Sequence, residues 1–452
     1  MPRKAMRFGS FSLRNNEENE RCYKGVGMMD IVFEALVWIA YLLSLYFSIF
    51  LVLIYLDKKS FFAKEKSSLQ PKEFPLVSII VPAYNEEKTI IKTLESINGL
   101  DYPQEKLEVI VVNDGSQDQT KLKVEEYIKD KAHFQLLNQD NKGKAAAMNR
   151  ALQLVQGEFF ACLDADSFVD PLTLRKMLSF YYEQNNPKLA IITPAMKVFQ
   201  PKNLLQKVQW IEYIVMILFG RISSHIDSLY VAPGPFSVYK TSIITALGSF
   251  DEKSITEDQE IAYRVQKNHY LIRQCFDGYV YTTAPRTWKR FYSQRRRWYM
   301  GSLHCLHQYR NMIANRKYGD FGLMQMVKNV TGYFLAITGM GTAFYLIFLP
   351  LLEKVQSLVL IRFKVQPFIA HFQMDFSMLS LLLNNFRQGF VVIFLFVLAF
   401  LFFYWAHRNA QEKMHSIGIV PLIPYFFFYY LLKGGILLFS LAQFAKSEKV
   451  KW

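Results

Sequence analysis

Carboxylates stand at spacings that suit nucleotide and metal chemistry. Asp164-Ala165-Asp166 follows the apolar run Phe160–Leu163, so two carboxylates lie one residue apart at the expected end of a buried strand. Hard cations such as Mg²⁺ take oxygen ligands and usually share them with substrate phosphates. Asp114 in Asn-Asp-Gly-Ser and Glu86 in Pro-Ala-Tyr-Asn-Glu follow two earlier apolar runs. Each motif taken alone is also typical of a turn or a helix cap.

Two further motifs stand at predicted helix starts. Asn-Lys-Gly-Lys, ending at Lys144, opens a helix where backbone N–H groups and lysines suit an anion, although a basic surface loop has the same composition. Thr256-Glu257-Asp258 opens another helix, whose dipole favours an ionised carboxylate there. An ionised carboxylate suits a general base, whereas Thr256 with Gln259 also resembles a capping box.

The run Gln294-Arg295-Arg296-Arg297-Trp298 places polar and aromatic groups on one helix face. On a helix, Gln294, Arg297 and Trp298 lie together while Arg295 and Arg296 point elsewhere. An arginine can neutralise a departing diphosphate, and a tryptophan offers a flat apolar face to a sugar ring. The alternative is an interfacial helix with snorkelling arginines and a headgroup-level tryptophan.

The elements that carry these motifs alternate between strands and helices. The pattern predicts strands at Val77–Val81, Leu107–Val112, His133–Leu137 and Phe160–Leu163, with helices between them. This alternation indicates an α/β domain with a parallel sheet, whose ligands bind at the carboxyl ends of the strands.

Apolar segments flank this domain. The polar residues 1–30 predict a flexible tail, and Ile31–Leu56 exceeds the roughly 20 residues that cross a bilayer. Asp57-Lys58-Lys59 comes next in place of a cleavage site, so we expect an uncleaved transmembrane helix. The lysine-rich stretch 58–72 predicts a cytoplasmic location for the α/β domain, although basic residues in the tail act in the opposite direction.

Other apolar segments carry charges. Residues 203–222 predict an interfacial amphipathic helix, with a buried core helix as the alternative, and residues 286–310 predict a second interfacial helix. Residues 326–444 predict a C-terminal transmembrane region with spans at Met326–Leu352, Phe390–Ala406 and Ile417–Phe444. Four spans in total would put the basic C-terminus opposite the cytoplasm, in conflict with the positive-inside rule.

Composition fits a mixture of membrane-embedded and soluble parts. The 452 residues are 51% hydrophobic and 16% aromatic, with a net charge of +15. Basic excess in a membrane protein marks cytoplasmic flanks and interfacial faces. The sequence has no helix-turn-helix, zinc-finger or aromatic RNA-binding motif, which argues against a nucleic acid partner. Four scattered cysteines suggest neither a disulfide framework nor a zinc site.

The order of the motifs resembles a known family. Asn-Asp-Gly-Ser, Asp-Ala-Asp, Thr-Glu-Asp and Gln-x-x-Arg-Trp succeed one another as in the processive family 2 glycosyltransferases. That family includes cellulose, chitin, hyaluronan and poly-N-acetylglucosamine synthases. The Thr-Glu-Asp form resembles the cellulose and poly-β-1,6-N-acetylglucosamine types, and the short chain favours the latter. Two prolines flank Gly234 where the family has its acceptor loop.

The resemblance implies a GT-A (Rossmann-like) catalytic domain over residues 76–300, facing the cytoplasm. It implies Asp258 as the catalytic base and Asp166 as the ligand of Mg²⁺ or Mn²⁺. Glu257, Gly234 and Trp298 would contact the acceptor. The residues implied for the UDP-sugar donor are Tyr84, Glu86, Asp114, Lys144, Asp164, Gln294, Arg297 and Trp298.

The implied function is processive, inverting β-glycosyl transfer from a UDP-sugar, with UDP-N-acetylglucosamine favoured. The growing polysaccharide would be acceptor and exported product of a multi-pass plasma-membrane enzyme, with an accessory export subunit as a further partner. One alternative is a transferase that adds a single sugar to a lipid or polyprenyl phosphate and has no need for Gln-x-x-Arg-Trp. A membrane scaffold with an inactive transferase domain is the non-enzymatic alternative, disfavoured because every expected carboxylate is present.

Overall fold

A computed structural model of the chain describes residues 28–64, 74–360, 386–413 and 416–446. The predicted tail therefore lies outside the described residues, except for residues 28–30, which begin a helix. Part of the lysine-rich stretch 58–72 also lies outside them, as does the middle of the predicted C-terminal membrane region.

The first half of the central sheet is parallel. Strands β1 (Val77–Ala83), β2 (Leu107–Asp114), β3 (Phe134–Gln139) and β4 (Phe159–Cys162) lie in the order β3-β2-β1-β4, and neighbours run parallel. Alternate strand residues face opposite sides, as the pleat requires. Ile79 packs into a hydrophobic cluster on one face of the sheet, while Ile80 packs into another on the opposite face. The predicted α/β fold is confirmed.

The second half of the sheet is mixed and departs from the all-parallel expectation. It contains β5 (Ser167–Val169), β6 (Leu189–Val198), β7 (Val238–Lys240) and β8 (Leu271–Thr282), and the whole order is β3-β2-β1-β4-β7-β6-β8-β5. Strand β7 runs antiparallel to both β4 and β6, and β5 runs antiparallel to β8. Strands of three residues such as β5 and β7 carry little apolar periodicity, so the sequence pattern did not reveal them.

Helices surround the sheet and continue into the apolar segments. Those between strands are Ile90–Asn98, Thr120–Ile128, Lys144–Leu152, Thr173–Gln184, Leu204–His225, Thr241–Ala246 and Glu257–Lys267. After β8 come Trp288–Gln308, Val327–Ala343, Leu349–Leu360, Phe386–Ala410 and Leu422–Ala445, and the helix Met28–Lys64 precedes the sheet.

Within the described ranges, three helices are long and apolar enough to cross a membrane: Ile31–Lys58, Gly389–Ala410 and Leu422–Ala445. They correspond to three of the four predicted spans, and the chain is accordingly a membrane protein. The fourth prediction, Met326–Leu352, is not among them. A π-helical turn at Phe344–Phe348 divides that segment into shorter α-helical pieces.

The Leu204–His225 helix lies between the sheet and the apolar helices. It packs against β6, β8 and the Phe386–Ala410 helix, and most of its side chains are buried. Among its large apolar side chains, only Leu204 and Met216 are exposed. Most of the helix surface is therefore buried, as the alternative of a buried core helix predicts. Contact of this helix with a bilayer surface stays a prediction. The Trp288–Gln308 helix packs against the C-terminal apolar helix.

Candidate active site

The loops after β1 and β2 are joined by hydrogen bonds. The Asn85 N–H donates to Ser116 Oγ at 3.0 Å, and the Gln117 N–H donates to Asn85 Oδ1 at 2.8 Å. Asn85 has a φ of 56°, a left-handed conformation that asparagine tolerates. The Tyr84 side chain is left exposed at the carboxyl edge of the sheet, and Glu86 is half-buried beside it. The loops therefore hold both predicted uridine-side residues at the expected crevice.

Asp114 anchors the loop that leads into the Lys144–Leu152 helix. Its two carboxylate oxygens accept hydrogen bonds of 2.9 Å from the backbone N–H groups of Lys142 and Gly143, and Gln139 Nε2 donates to Oδ1 at 2.7 Å. Gly143 has a φ of 92°, which favours glycine. The buried carboxylate thus has a structural role that the motif did not reveal, beside its predicted contact with the donor.

Lys144 joins the two halves of the site. Its Nζ lies 2.6 Å from Asp164 Oδ1 and 2.9 Å from Glu257 Oε1. Burial acts to lower the pKa of Lys144, but the two carboxylates outweigh it and raise the pKa well above its usual value. Burial acts to raise the pKa of Glu257, whereas Lys144 holds it below its usual value. Lys144 is therefore a charged ammonium between the Asp-Ala-Asp and Thr-Glu-Asp motifs.

Gly234 lies against this ion-paired group. A Cβ at this position would be 2.6 Å from Lys144 Nζ and 3.3 Å from the nearer Asp164 oxygen. A side chain at this position would therefore require the flexible end of Lys144 to move. Gly234 was predicted to contact the acceptor; the structure places it beside two residues predicted for the donor.

Asp166 is suited to a cation. Burial first, and then the negative charges of Asp164 and Glu86, raise the pKa of Asp166 to about 6. Ser167 Oγ donates to Asp166 Oδ1 at 3.0 Å. In the part of the chain that the structure describes, no group of three or more His, Cys, Asp or Glu side chains is placed to hold a metal. This donor set fits a hard cation that takes its remaining ligands from phosphate and water, as Mg²⁺ commonly does.

Asp258 lies in the first turn of the Glu257–Lys267 helix. Burial and the charge of Glu257 raise the pKa of Asp258 to about 6, which suits a group that must accept a proton near neutral pH. The alternative of a capping box is wrong, because the Thr256 side chain makes no capping hydrogen bond. Thr256 packs instead against Gly301, where a Cβ would collide with its hydroxyl. This contact brings the motif up to the Trp288–Gln308 helix.

The predicted helix-face residues lie near this turn. The positive charge of Arg297 acts to lower the pKa of both Glu257 and Asp258, which places it close to the candidate base, although the pKa of Asp258 stays raised. Gln294 is half-buried, and so is Trp298, which packs against a hydrophobic cluster shared with the C-terminal apolar helix. Arg297 thus stands beside the Thr-Glu-Asp motif, and Gln294 and Trp298 lie on the same helix.

The motif also contains a buried residue that sequence reasoning set aside. Arg295 is 2% exposed and forms a 2.5 Å ion pair with Glu212 of the Leu204–His225 helix. Lys433 Nζ, from the C-terminal apolar helix, lies 2.6 Å from the other Glu212 oxygen. Opposite charges in two otherwise apolar helices were visible in the sequence. Only the fold shows that they meet.

Comparisons with known proteins agree with this geometry. Residues 78–248 match the family described as glycosyl transferase family 2. The chain is 25% identical over 377 residues to a poly-β-1,6-N-acetyl-D-glucosamine synthase of Staphylococcus epidermidis, covering 82% of this chain and 84% of the relative. It is 28% identical over 272 residues to the synthase of the same name from Staphylococcus aureus, covering 60% and 65%.

A solved structure shares the fold. The mannosyltransferase PcManGT from Pyrobaculum calidifontis, determined with GDP-Man and Mn²⁺, has a TM-score of 0.57 at 17% identity. The match covers 91% of this chain and 99% of that one. The likeness supports the GT-A architecture of the sheet described above.

Proposed function

We propose that this membrane protein, a glycosyltransferase whose residues 78–248 form a family 2 domain, polymerises a UDP-sugar by processive, inverting β-transfer. The observation that carries the proposal is the Lys144 bridge between Asp164 and Glu257. It joins the motif assigned to the donor diphosphate with the motif that holds the candidate base. A single-site transfer needs both within reach of one anomeric carbon.

The donor side is organised around negative charge. Lys144, Arg297 and the N-terminus of the Lys144–Leu152 helix would neutralise the diphosphate, and Tyr84 and Glu86 would line the uridine site. PcManGT was determined with Mn²⁺, and the carboxylates here fit the same kind of ion. Mg²⁺ or Mn²⁺ held by Asp166 would supply electrostatic stabilisation of the leaving diphosphate.

The acceptor side provides the base. Asp258 would take the proton from an acceptor hydroxyl as that oxygen attacks the anomeric carbon of the donor sugar. The new C–O bond forms as the bond to the diphosphate oxygen breaks, UDP leaves with the bonding electrons, and the configuration inverts. Gln294 and Arg297 would hold the departing diphosphate, while Glu257, Gly234 and the Trp298 ring would contact the acceptor end.

The names of the relatives favour a particular donor sugar and product linkage. Proteins named poly-β-1,6-N-acetyl-D-glucosamine synthase align with most of this chain, which favours UDP-N-acetylglucosamine as donor and a β-1,6-linked product. We place the catalytic domain on the cytoplasmic side of the plasma membrane, where UDP-sugars are made. The apolar helices, including residues 327–360, would guide the polymer outward, with an accessory subunit assisting export.

The test replaces the base without removing its volume. With purified full-length protein, UDP-N-acetylglucosamine and Mn²⁺, Asp258→Asn should lower sugar transfer at least about 100-fold, as expected for loss of a general base. Binding of UDP, measured by calorimetry, should stay within about twofold of the unsubstituted chain, because such a base contacts the acceptor and not UDP.

Asp251→Asn provides the matched control, since Asp251 precedes the same helix and its Oδ1 accepts a turn hydrogen bond from the Lys253 N–H. Full transfer activity in Asp258→Asn would refute the assignment of the base. Product length is read from the same reaction: a single added sugar would reject processivity and favour transfer to a lipid or polyprenyl phosphate.

A further inference from the structure

A buried charge cluster lies behind the Gln-x-x-Arg-Trp motif. It consists of Glu212, Arg295, Tyr429 and Lys433. Glu212 Oε2 accepts from Arg295 at 2.5 Å and from the Tyr429 hydroxyl at 2.7 Å, and Oε1 accepts from Lys433 at 2.6 Å. Burial acts to raise the pKa of Glu212, but the two cations hold it at about 2. Glu212 is therefore an anion that joins three helices.

Arg295 has a second contact, toward the candidate acceptor side. Its guanidinium carbon lies 4.1 Å from the centre of the Trp298 ring, three residues along the same helix. A guanidinium at this distance attracts the ring face and limits its rotation. The ion pair with Glu212 limits the guanidinium in turn. The charge cluster thus limits the orientation of the Trp298 ring through Arg295.

Tyr213 links the cluster to the donor side. This buried side chain comes directly after Glu212 on the Leu204–His225 helix, and burial raises its pKa to about 12. The charges of Arg295 and Glu212 act on the pKa of its hydroxyl, and so do those of Asp166 and Asp164. The cluster therefore lies next to the site, not at a distant membrane surface.

Stability alone does not explain such a cluster. Replacing buried ion pairs by apolar side chains of similar volume is often neutral or stabilising, whereas the best-attested use of such pairs is to fix register between helices. The register fixed here is that of the Trp288–Gln308 helix against the Leu204–His225 and Leu422–Ala445 helices.

We propose that Arg295 is a positioning residue for Trp298. Its ion pair with Glu212 holds the guanidinium against the face of the Trp298 ring. Lys433 and Tyr429, on the C-terminal apolar helix, bind the same Glu212 carboxylate. The inference rests on the proposed function, in which Trp298 holds the acceptor end. It adds that the orientation of the ring is set by the helix packing beneath it.

The test uses two variants that each remove one cation from Glu212. Arg295→Met leaves Glu212 paired with Lys433, and Lys433→Met leaves it paired with Arg295. With UDP-N-acetylglucosamine and Mn²⁺, Arg295→Met should lower kcat about tenfold, as expected for loss of a desolvated cation–π contact, with KM for the donor unchanged. Lys433→Met should retain kcat within about twofold, since it leaves that contact in place. Equal losses in both would show a merely structural role and overturn the proposal.

A double-mutant cycle separates action through the ring from other effects. In a Trp298→Ala background, Arg295→Met should cause no further loss of kcat, because there is no ring to position. An equal further loss in that background would overturn the proposal. If Trp298→Ala alone keeps full activity, the role of Trp298 in the proposed function fails as well, while the Asp258→Asn result still tests the base.

Arg295→Lys keeps the test decisive if Arg295→Met does not fold. A lysine can still pair with Glu212 and still carries a positive charge, but it lacks the planar group that stacks on the ring and fixes its orientation. We expect an unfolding temperature equal to that of the unsubstituted chain and a kcat several-fold lower. Full kcat in Arg295→Lys would overturn the proposal.

Discussion

Adding a single methyl group at Gly234 should disturb the donor site without disturbing the fold. A Cβ there would lie 2.6 Å from Lys144 Nζ and 3.3 and 3.4 Å from the two Asp164 oxygens. The Gly234 φ is not in the left-handed region, so alanine adds no backbone strain. The lysine end is the flexible partner and must move.

The size of the effect can be worked out from these distances. To reach ordinary contact at 3.4 Å from 2.6 Å, Nζ must withdraw by 0.8 Å. We expect this movement to lengthen its 2.6 Å contact with Asp164 or its 2.9 Å contact with Glu257. A hydrogen bond to a charged group contributes about 1.5–3 kcal/mol, so loss of one such contact in the donor complex weakens UDP binding by about 10- to 150-fold.

Calorimetry with UDP and Mn²⁺ on the purified Gly234→Ala protein measures this directly. Gly332→Ala is the matched control, since a Cβ at Gly332 meets no atom within 4 Å among the described residues. The unfolding temperature of Gly234→Ala should stay close to that of the unsubstituted chain, and that of Gly332→Ala should be equal or slightly higher, because alanine is favoured over glycine inside a helix. If Gly234→Ala is folded and binds UDP within about twofold of the control, Lys144 does not contact the donor diphosphate and our reasoning about the donor side is wrong.

Two further predictions concern carboxylates. Because burial and Glu257 raise the pKa of Asp258 to about 6, and the base must be ionised, kcat/KM should fall as pH drops through about 6; a profile flat to pH 5 would contradict this. Asp114→Asn turns an acceptor oxygen into a donor facing a backbone N–H, which costs about 1–3 kcal/mol. Its unfolding temperature should fall together with UDP affinity; weaker binding without loss of stability would show that Asp114 acts on the donor alone.

The parallel half of the sheet was predictable because its strands are buried on both faces. Continuous apolar runs such as Ile79–Val81 and Val109–Val112 reveal such strands directly. The mixed half was not predicted, because its three-residue strands β5 and β7 pair with partners far away in the chain, and the ten- and twelve-residue strands β6 and β8 were overlooked. Local pattern carries no information about that pairing.

For the candidate site, the sequence predicted the residue types and the order of the motifs, but it did not predict which residues contact one another. The carboxylates Asp164, Asp166 and Asp258 were recognisable from their motifs. That Lys144 bridges Asp164 and Glu257 beside the Gly234 backbone depends on four separate segments of the chain meeting. Helix periodicity placed Arg295 away from Gln294 and Arg297, but the i, i+3 spacing that brings it to Trp298 was overlooked.

The catalytic sheet and the apolar helices are joined by polar contacts as well as by hydrophobic packing. Lys197 of β6 pairs with Glu412 at 3.0 Å, just beyond the end of the Phe386–Ala410 helix. Arg221 donates to Asn409 at 2.5 Å, and Asn409 Nδ2 donates to the Tyr55 hydroxyl at 3.2 Å. Apolar surfaces alone would let these helices slide or rotate against the domain at small cost, whereas a buried polar group loses its partner when the register changes.

The charge cluster around Glu212 is the member of this set that reaches the candidate site. A shift of the Leu422–Ala445 helix by one turn would carry Lys433 away from Glu212 and leave the carboxylate with Arg295 alone. Because breaking a buried pair costs several kcal/mol, such a shift is disfavoured, and the C-terminal apolar helix keeps its register against the helix that carries Trp298. If the apolar helices guide the polymer, the contacts of Glu212 hold two helices together. One is the Trp288–Gln308 helix, which would bind the growing end, and the other is the Leu422–Ala445 helix, which would line the path of the polymer.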